Sequence, residues 1–271
     1  MTASRKPTIG VFDSGVGGLT VLRALFNRGL GANYLYFGDT ARLPYGSKSA
    51  ATVAHYATGA TRFLQDQGAD LLVIACNTAT ALALDEIKAA SDLEVIGVIE
   101  PGAAAAASAT RKQKVVVLGT EATVSSHAYA WALDSRGIAA HEKACPLFVP
   151  LVEEGWTEHP VTEQVARIYL SEAFSGEFSD ADVLVLGCTH YPLLKPLLRR
   201  VAPSHVTIVD SADSTAHAVA EHLKIAPLES GKISMSGLRF FATDSAEKFS
   251  KMGTRFLGLP VEDVVHVDLK E

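Results

Sequence analysis

The sequence predicts an α/β protein with two doubly wound, mainly parallel-sheet lobes, and three observations carry that prediction. Short β-branched and apolar runs alternate with helical stretches along most of the chain, the pattern of parallel α/β architecture. Runs such as Val115-Val116-Val117-Leu118 are apolar throughout rather than alternating, so their sheets are covered on both faces. Ile9-Gly10-Val11-Phe12-Asp13-Ser14 also lines up with Val115-Val116-Val117-Leu118-Gly119-Thr120 at an offset of 106 (115 − 9), while Cys76 and Cys188 recur at an offset of 112 (188 − 76). Similar offsets in one order imply a duplicated unit and lobes related by pseudo-symmetry, although the match is one of pattern that many α/β strands share.

In chain order, strands are expected at Thr8 to Phe12, Tyr34 to Phe37, Leu71 to Ala75, Glu94 to Val98, Val115 to Leu118, Val183 to Leu186, Val206 to Val209 and Leu238 to Ala242, with helices in most gaps. Glu100-Pro101-Gly102 reads as a turn into a small-residue helix and marks a domain boundary. A second boundary is expected after Pro203-Ser204. The first lobe then comprises 1–99 with 208–271 and carries Cys76; the second comprises 100–207 and carries Cys188. A thiol at the C-terminal end of a strand in each lobe places the active site in the cleft between them, with one sulfur on either side of a small molecule.

Composition narrows the partners. The chain has 271 residues, 48% hydrophobic and 20% charged, with a formal net charge of −6, which argues against nucleic acid or anionic membranes as partners. No apolar run approaches a membrane span and the N-terminal residues lack a signal-peptide core, so the cytoplasm is the expected compartment. Three cysteines, an odd number, read as thiols rather than a disulfide framework. No C-x-x-C or H-x-x-x-H spacing suggests a metal site.

Cys76-Asn77-Thr78 and Cys188-Thr189-His190 each set polar donors directly after a thiol at a strand end. One thiolate and one thiol could serve as base and acid toward a single atom. His190 reads either as a polar residue capping the helix before Pro192 or as a cation beside Cys188. Glu153 reads as an orienting partner for His190, or with Glu154 as solvated surface. Cys145 lacks a polar sequel and reads as structural. The turn Asp13-Ser14-Gly15-Val16-Gly17-Gly18-Leu19-Thr20 fails the G-x-G-x-x-G spacing, which argues against a dinucleotide. Ser14 can cap the following helix or bond a substrate group, and Asp13 can pair with an ammonium or tune a thiol. Backbone N–H groups at Tyr45 and Gly46 could hold a carboxylate.

Together, Phe12-Asp13-Ser14-Gly15-Val16-Gly17-Gly18-Leu19-Thr20, Phe37-Gly38-Asp39-Thr40, Pro44-Tyr45-Gly46, Ala75-Cys76-Asn77-Thr78-Ala79 and Gly187-Cys188-Thr189-His190-Tyr191-Pro192-Leu193 resemble the cofactor-independent glutamate racemases over Ile9 to about Asp210. The resemblance implies interconversion of L- and D-glutamate without a cofactor, supplying D-glutamate for peptidoglycan. It implies Cys76 and Cys188 as catalytic, and Asp13, Glu153 and His190 as auxiliary acid-base residues. Asp13 with Ser14, Tyr45 with Gly46, Asn77 with Thr78, Thr189 with His190, and Thr123 are implied as substrate contacts. Family members often form dimers, so a homodimer is an expected assembly. Aspartate racemases share the fold and both cysteines and form one alternative. A non-enzymatic two-lobed small-molecule binding protein forms the other.

Overall fold

The computed structural model describes residues 5–224 and 237–269. The parts of the expected lobes at 1–4, 225–236 and 270–271 lie outside the described residues. Among the described residues ten strands form two parallel sheets. They are β1 Thr8–Asp13, β2 Asn33–Gly38, β3 Leu71–Ile74, β4 Val95–Gly97, β5 Lys114–Gly119, β6 Ala139–Ala144, β7 Val183–Gly187, β8 Thr207–Asp210, β9 Leu238–Ala242 and β10 Val265–His266. The helices are α1 Leu19–Asn27, α2 Ala50–Asp66, α3 Asn77–Ala89, α4 Ile99–Ala109, α5 Glu121–Ser125, α6 Ala128–Asp134, α7 Phe148–Glu153, α8 Pro160–Ala173, α9 Lys195–Val201, α10 Ser211–Leu223 and α11 Ala246–Leu257.

The first sheet runs β10-β9-β2-β1-β3-β4 and the second β6-β5-β7-β8. Set side by side, β2-β1-β3-β4 and β6-β5-β7-β8 are the same order strand for strand, so the duplicated pattern is one of topology. In each sheet the chain reverses its direction of travel beside the first strand, and the switch point falls between β1 and β3 or between β5 and β7. Cys76 follows β3 and Cys188 follows β7, so the two thiols occupy equivalent places at the strand edge where open α/β sheets bind ligands.

All eight expected strands form; the central ones are covered on both faces, Val115 to Leu118 being fully buried, while β8 and the start of β9 are partly exposed. Two strands lack a sequence expectation. Each lies at a sheet edge, where β6 (Ala-Ala-His-Glu-Lys-Ala) is only partly buried and β10 is two residues long. One expected turn is helical and one strand joins the other sheet. The helix α4 starts at Ile99 and takes Pro101 into its first turn, where the missing N–H costs no hydrogen bond. The strand β8 pairs in parallel with β7, Val183 against Thr207 through Leu186 against Asp210. It therefore belongs to the second sheet as the counterpart of β4, and the chain returns to the first lobe after Asp210 rather than before residue 208.

The return is made by α10, which packs against α1 and α4, and by β9 and α11, with α11 against α1. One continuous apolar cluster, including Ile9, Leu22, Leu118, Phe148, Leu186 and Phe256, runs through both lobes beneath the cleft. No helix among the described residues is long and apolar enough to cross a membrane.

Candidate active site

A cavity of about 410 Å³ opens between the lobes, within the range of small-molecule sites. The first lobe lines it with Ser14 after β1, the loop Leu43 to Ser47 and the start of α3 at Cys76, Asn77 and Thr78. The second lobe supplies Thr120 and Glu121 after β5, Pro146, Val149, Pro150 and Glu153 around α7, and Cys188, Thr189, His190 and Tyr191 after β7. Among the described residues the lining contains no lysine or arginine. Any anionic ligand group is therefore met by hydroxyls, amides, backbone N–H groups and one histidine.

Cys76 is the N-cap of the 13-residue helix α3, and its Sγ accepts from Ala79 N at 3.4 Å. Its thiol donates to Ser14 Oγ at 3.5 Å. Burial, reinforced by the negative charge of Asp13, pushes this thiol up to about 12, against the opposing hydrogen bonds from Ser14 and Ala79. Ser14 thus partners the sulfur rather than capping a helix; the N-cap of α1 is Gly18, without a side-chain cap.

Asp13 does not line the cavity. It lies behind Ser14, 1% exposed, with Oδ2 accepting from Gly15 N at 2.8 Å and Oδ1 without a hydrogen-bond partner among the described residues. Burial holds its carboxyl above the ordinary carboxylate range, although the nearby His190 charge opposes the shift.

Cys188 faces a different environment. His190 Nδ1 lies 4.0 Å from its Sγ and 3.4 Å from Thr189 Oγ1, while Nε2 lies 3.1 Å from Glu153 Oε1. Burial alone would pull the imidazole down. Its hydrogen bonds to Cys188 and Glu153 outweigh that and raise it to about 10, so the ring carries its proton at neutral pH. Glu153 is held below the ordinary range, chiefly by the same hydrogen bond to His190. His190 makes no side-chain cap to the turn Tyr191–Leu194, so of its two expected roles the structure places it as the partner of sulfur and carboxylate. Glu154 is exposed. Cys145 is fully buried, with its thiol 3.7 Å from Lys143 O, away from the cavity.

Contacts across the cleft complete the site. Thr78 Oγ1 lies 2.9 Å from Thr120 Oγ1 and 3.4 Å from Thr123 Oγ1. Thr123 is fully buried behind Thr120 and does not line the cavity; Thr120 and Glu121 do, and the sequence reading missed both. The recurrence of Thr120 opposite Ser14 in the internal repeat was the signal for it. Tyr129 Oη in α6 donates to Asn77 Oδ1 at 2.8 Å, which turns the amide N–H₂ toward Ser211, 3.5 Å away. The helix α11 was also missed: Arg255 Nη1 donates to Glu153 O at 3.0 Å, and Phe256 packs its ring edge-on to His190 at 5.1 Å. Among the described residues no group of three or more His, Cys, Asp or Glu side chains is arranged to hold a metal ion.

The fold and cleft define a duplicated two-lobed α/β protein that brings one free thiol from each lobe to a shared cavity. The model of the Asp/Glu/Hydantoin racemase family matches residues 21–219, and the chain belongs to that family. It is 58% identical to a glutamate racemase of Koribacter versatilis over 98% of each chain. A glutamate racemase from Thermus thermophilus, solved with beta-chloro-D-alanine, superposes with a TM-score of 0.84 at 44% identity, covering 97% of this chain and 98% of the other. The Francisella tularensis glutamate racemase, solved with D-glutamate, gives 0.84 at 34% identity over 97% and 98% of the two chains.

Proposed function

We propose that this protein interconverts L- and D-glutamate by moving the α-proton between Cys76 and Cys188. The observation that carries the reading is that the two thiols line one cavity from pseudo-equivalent strand ends. The α-proton of an amino acid is weakly acidic, and inversion requires that it leave one face and a proton arrive at the other. A thiolate on one side takes the α-proton and becomes a thiol. The opposite thiol gives its proton to the other face of the carbanion and becomes a thiolate. Each turnover leaves the two sulfurs in exchanged states, ready for the reverse reaction.

The two sulfurs are supported differently. On the first lobe, the high thiol of Cys76 fits an acid at rest, and Asp13 is its auxiliary group, one residue from Ser14. On the second, the protonated His190, held by Glu153, supplies the counter-charge for an anionic sulfur at Cys188. Ser14, Tyr45, Gly46, Asn77, Thr78, Thr189 and His190 hold the substrate, and Thr123 acts from behind Thr120. Neutral donors suit a dicarboxylate here, because they bind both of its carboxylates and stabilise the developing carbanion without placing a fixed lysine or arginine beside a thiolate. The reaction needs no cofactor, its product feeds peptidoglycan in the cytoplasm, and the working assembly is a homodimer, which light scattering checks.

The deciding experiment incubates the protein with L-glutamate in D₂O and follows optical rotation with deuterium at Cα. Loss of rotation with deuterium gain supports the reading. If neither occurs without added cofactor, the reading is wrong, and faster exchange of L-aspartate run in parallel would move the substrate to the shorter acid.

A further inference from the structure

Asp39 follows β2 and is fully buried, yet it is neither a cleft residue nor part of the chemistry described above. A buried carboxylate persists only where donors replace its lost water, and this one is surrounded by them. Tyr45 Oη donates to Oδ2 at 2.6 Å; Thr243 Oγ1 donates to Oδ1 at 2.8 Å, and Arg42 Nη1 to the same oxygen at 3.1 Å. Its own N–H donates to Asp13 O at 3.1 Å. Each of those groups leads elsewhere. Tyr45 is 1% exposed, its ring lies against Phe12 and Tyr56, and with Gly46 it forms one wall of the cavity. Arg42 reaches on to Leu269 O at 3.1 Å and lies over the Tyr56 ring. Thr243 directly follows β9, and its Oγ1 accepts from Ala41 N at 2.9 Å, while Thr40 Oγ1 donates to Asp244 O and accepts from Asp244 N, both at 2.8 Å.

From this geometry we infer that Asp39 is the positioning residue for the Tyr45–Gly46 wall, and that the C-terminal segment from β9 to Leu269 takes part in substrate binding by clamping the loop 39–46 around it. The inference rests on the proposed glutamate reaction, in which that wall meets a substrate carboxylate. Without the Asp39 acceptor the phenol loses its charged partner, and the turn that presents the Tyr45 and Gly46 backbone loses its anchor. The Asp39 carboxylate bonds Tyr45, Thr243 and Arg42 and neither sulfur nor His190, and Asp39→Asn leaves the backbone bond to Asp13 in place, so the substitution acts on binding rather than on proton transfer.

The test measures kcat and KM for L-glutamate in wild type, Asp39→Asn, Tyr45→Phe, the double variant and Thr243→Val. Asp39→Asn should raise KM about tenfold with kcat within about threefold, the signature of lost binding. Because Asp39 acts through Tyr45, the double variant should be no worse than the poorer single variant within about threefold, as for residues that share one interaction. Thr243→Val removes one donor without touching the charge and should raise KM about threefold. An unchanged KM in Asp39→Asn, a proportional fall in kcat instead, or KM effects that multiply in the double variant would overturn the inference. If Asp39→Asn fails to fold, Thr243→Val decides: an unchanged KM there overturns it. A wild type that does not racemise glutamate would fail the proposed reaction itself, a distinct outcome that takes the inference with it.

Discussion

Glu153 Oε1 stands 3.1 Å from His190 Nε2, and together with the contact from Nδ1 to the sulfur of Cys188 it keeps the ring protonated. With the carboxylate accepting at one nitrogen and the sulfur accepting at the other, both ring nitrogens donate, and these two bonds push the imidazole up to about 10. The two lobes therefore offer unlike surroundings to like thiols: a buried, unpartnered carboxylate oxygen near Cys76, and an ion pair near Cys188.

Replacing Glu153 with Gln should remove that support. His190 then titrates lower, so the alkaline limb of kcat/KM moves toward neutral pH, and kcat/KM at its optimum falls about 10-fold to 150-fold, the worth of a hydrogen bond to a charged group. Stability follows the same pair. The folded value of His190 lies above its ordinary 6.5, so its contribution is full below about 6.5 and is lost as pH rises through about 10. Glu153 is lowered below 4.5, so its contribution is present above that value and is lost on further acidification. Thermal melts should then show the largest gap between wild type and Glu153→Gln from about pH 4.5 to 6.5, closing toward pH 10; a gap that does not vary with pH contradicts the ion pair.

Cys76→Ser and Cys188→Ser should each reduce racemisation about 100-fold to 10,000-fold, the range for loss of a general acid or base. Substrate and product are mirror images, so their equilibrium constant is one and kcat/KM must fall equally in the two directions for each variant. Initial rates from L- and D-glutamate measure this. Full activity in either variant would eliminate the two-thiol mechanism.

The duplicated sheets and both thiols were legible in sequence because burial on two faces leaves a continuous apolar run, and because each cysteine follows such a run with polar residues behind it. Edge strands escaped for the converse reason: β6 is half wet, and nothing in Ala-Ala-His-Glu-Lys-Ala demands a strand. The boundary near 208 was misplaced because β8 looks alike whichever sheet it joins, and only pairing with β7 decides. Within the site, residues that flank a motif were found, whereas Thr120, Tyr129, Arg255 and Phe256 reach it through folding over long sequence separations. The glycine-rich turn is legible in sequence as the carrier of Asp13 and Ser14, whereas the role of its glycines toward the opposite lobe is not.

A Cβ at Gly17 would stand 2.2 Å from Thr189 Oγ1 and 2.6 Å from His190 Nδ1. The glycine is thus the space into which the second lobe's functional loop fits, supported by Thr20 Oγ1 donating to Thr189 O at 3.0 Å. Gly17→Ala should displace Thr189 and His190 and lower kcat/KM on the order of 100-fold, as misplacement of catalytic groups by about 1 Å does. The overpacking costs about 1 to 3 kcal/mol in stability, so a folded variant is available for assay. Unchanged kinetics would mean that the lobes tolerate a wider cleft.

Tyr129→Phe isolates the hydrogen bond that crosses from α6 to Asn77. Both groups are buried, so removing the phenol oxygen leaves Asn77 Oδ1 without its donor, at a cost of about 1 to 3 kcal/mol measured by chemical denaturation. The freed amide can rotate, and KM for glutamate should rise while the pH profile, which depends on groups elsewhere, keeps its shape. A changed pH profile with constant KM would assign Tyr129 to the proton chemistry instead.

The helix α11 reaches across from the first lobe and touches both members of the His190 pair. Its buried face, Phe249, Gly253, Phe256 and Leu257, anchors it in the core, while Arg255 on the exposed side donates to Glu153 O. The two contacts differ in expected weight. Arg255 is exposed and water can replace it, so Arg255→Ala should change kcat/KM by no more than about fivefold, equivalent to about 1 kcal/mol. Phe256 is fully buried and sets its edge against the imidazole at 79°. Phe256→Leu removes that wall and lets the ring turn, so kcat/KM should fall about tenfold or more and the alkaline limb should move toward neutral pH with the loss of the aligned Glu153 hydrogen bond. Equal effects from the two variants, or a Phe256→Leu protein that melts early but keeps the wild-type pH profile, would reduce α11 to a packing element with no hold on His190.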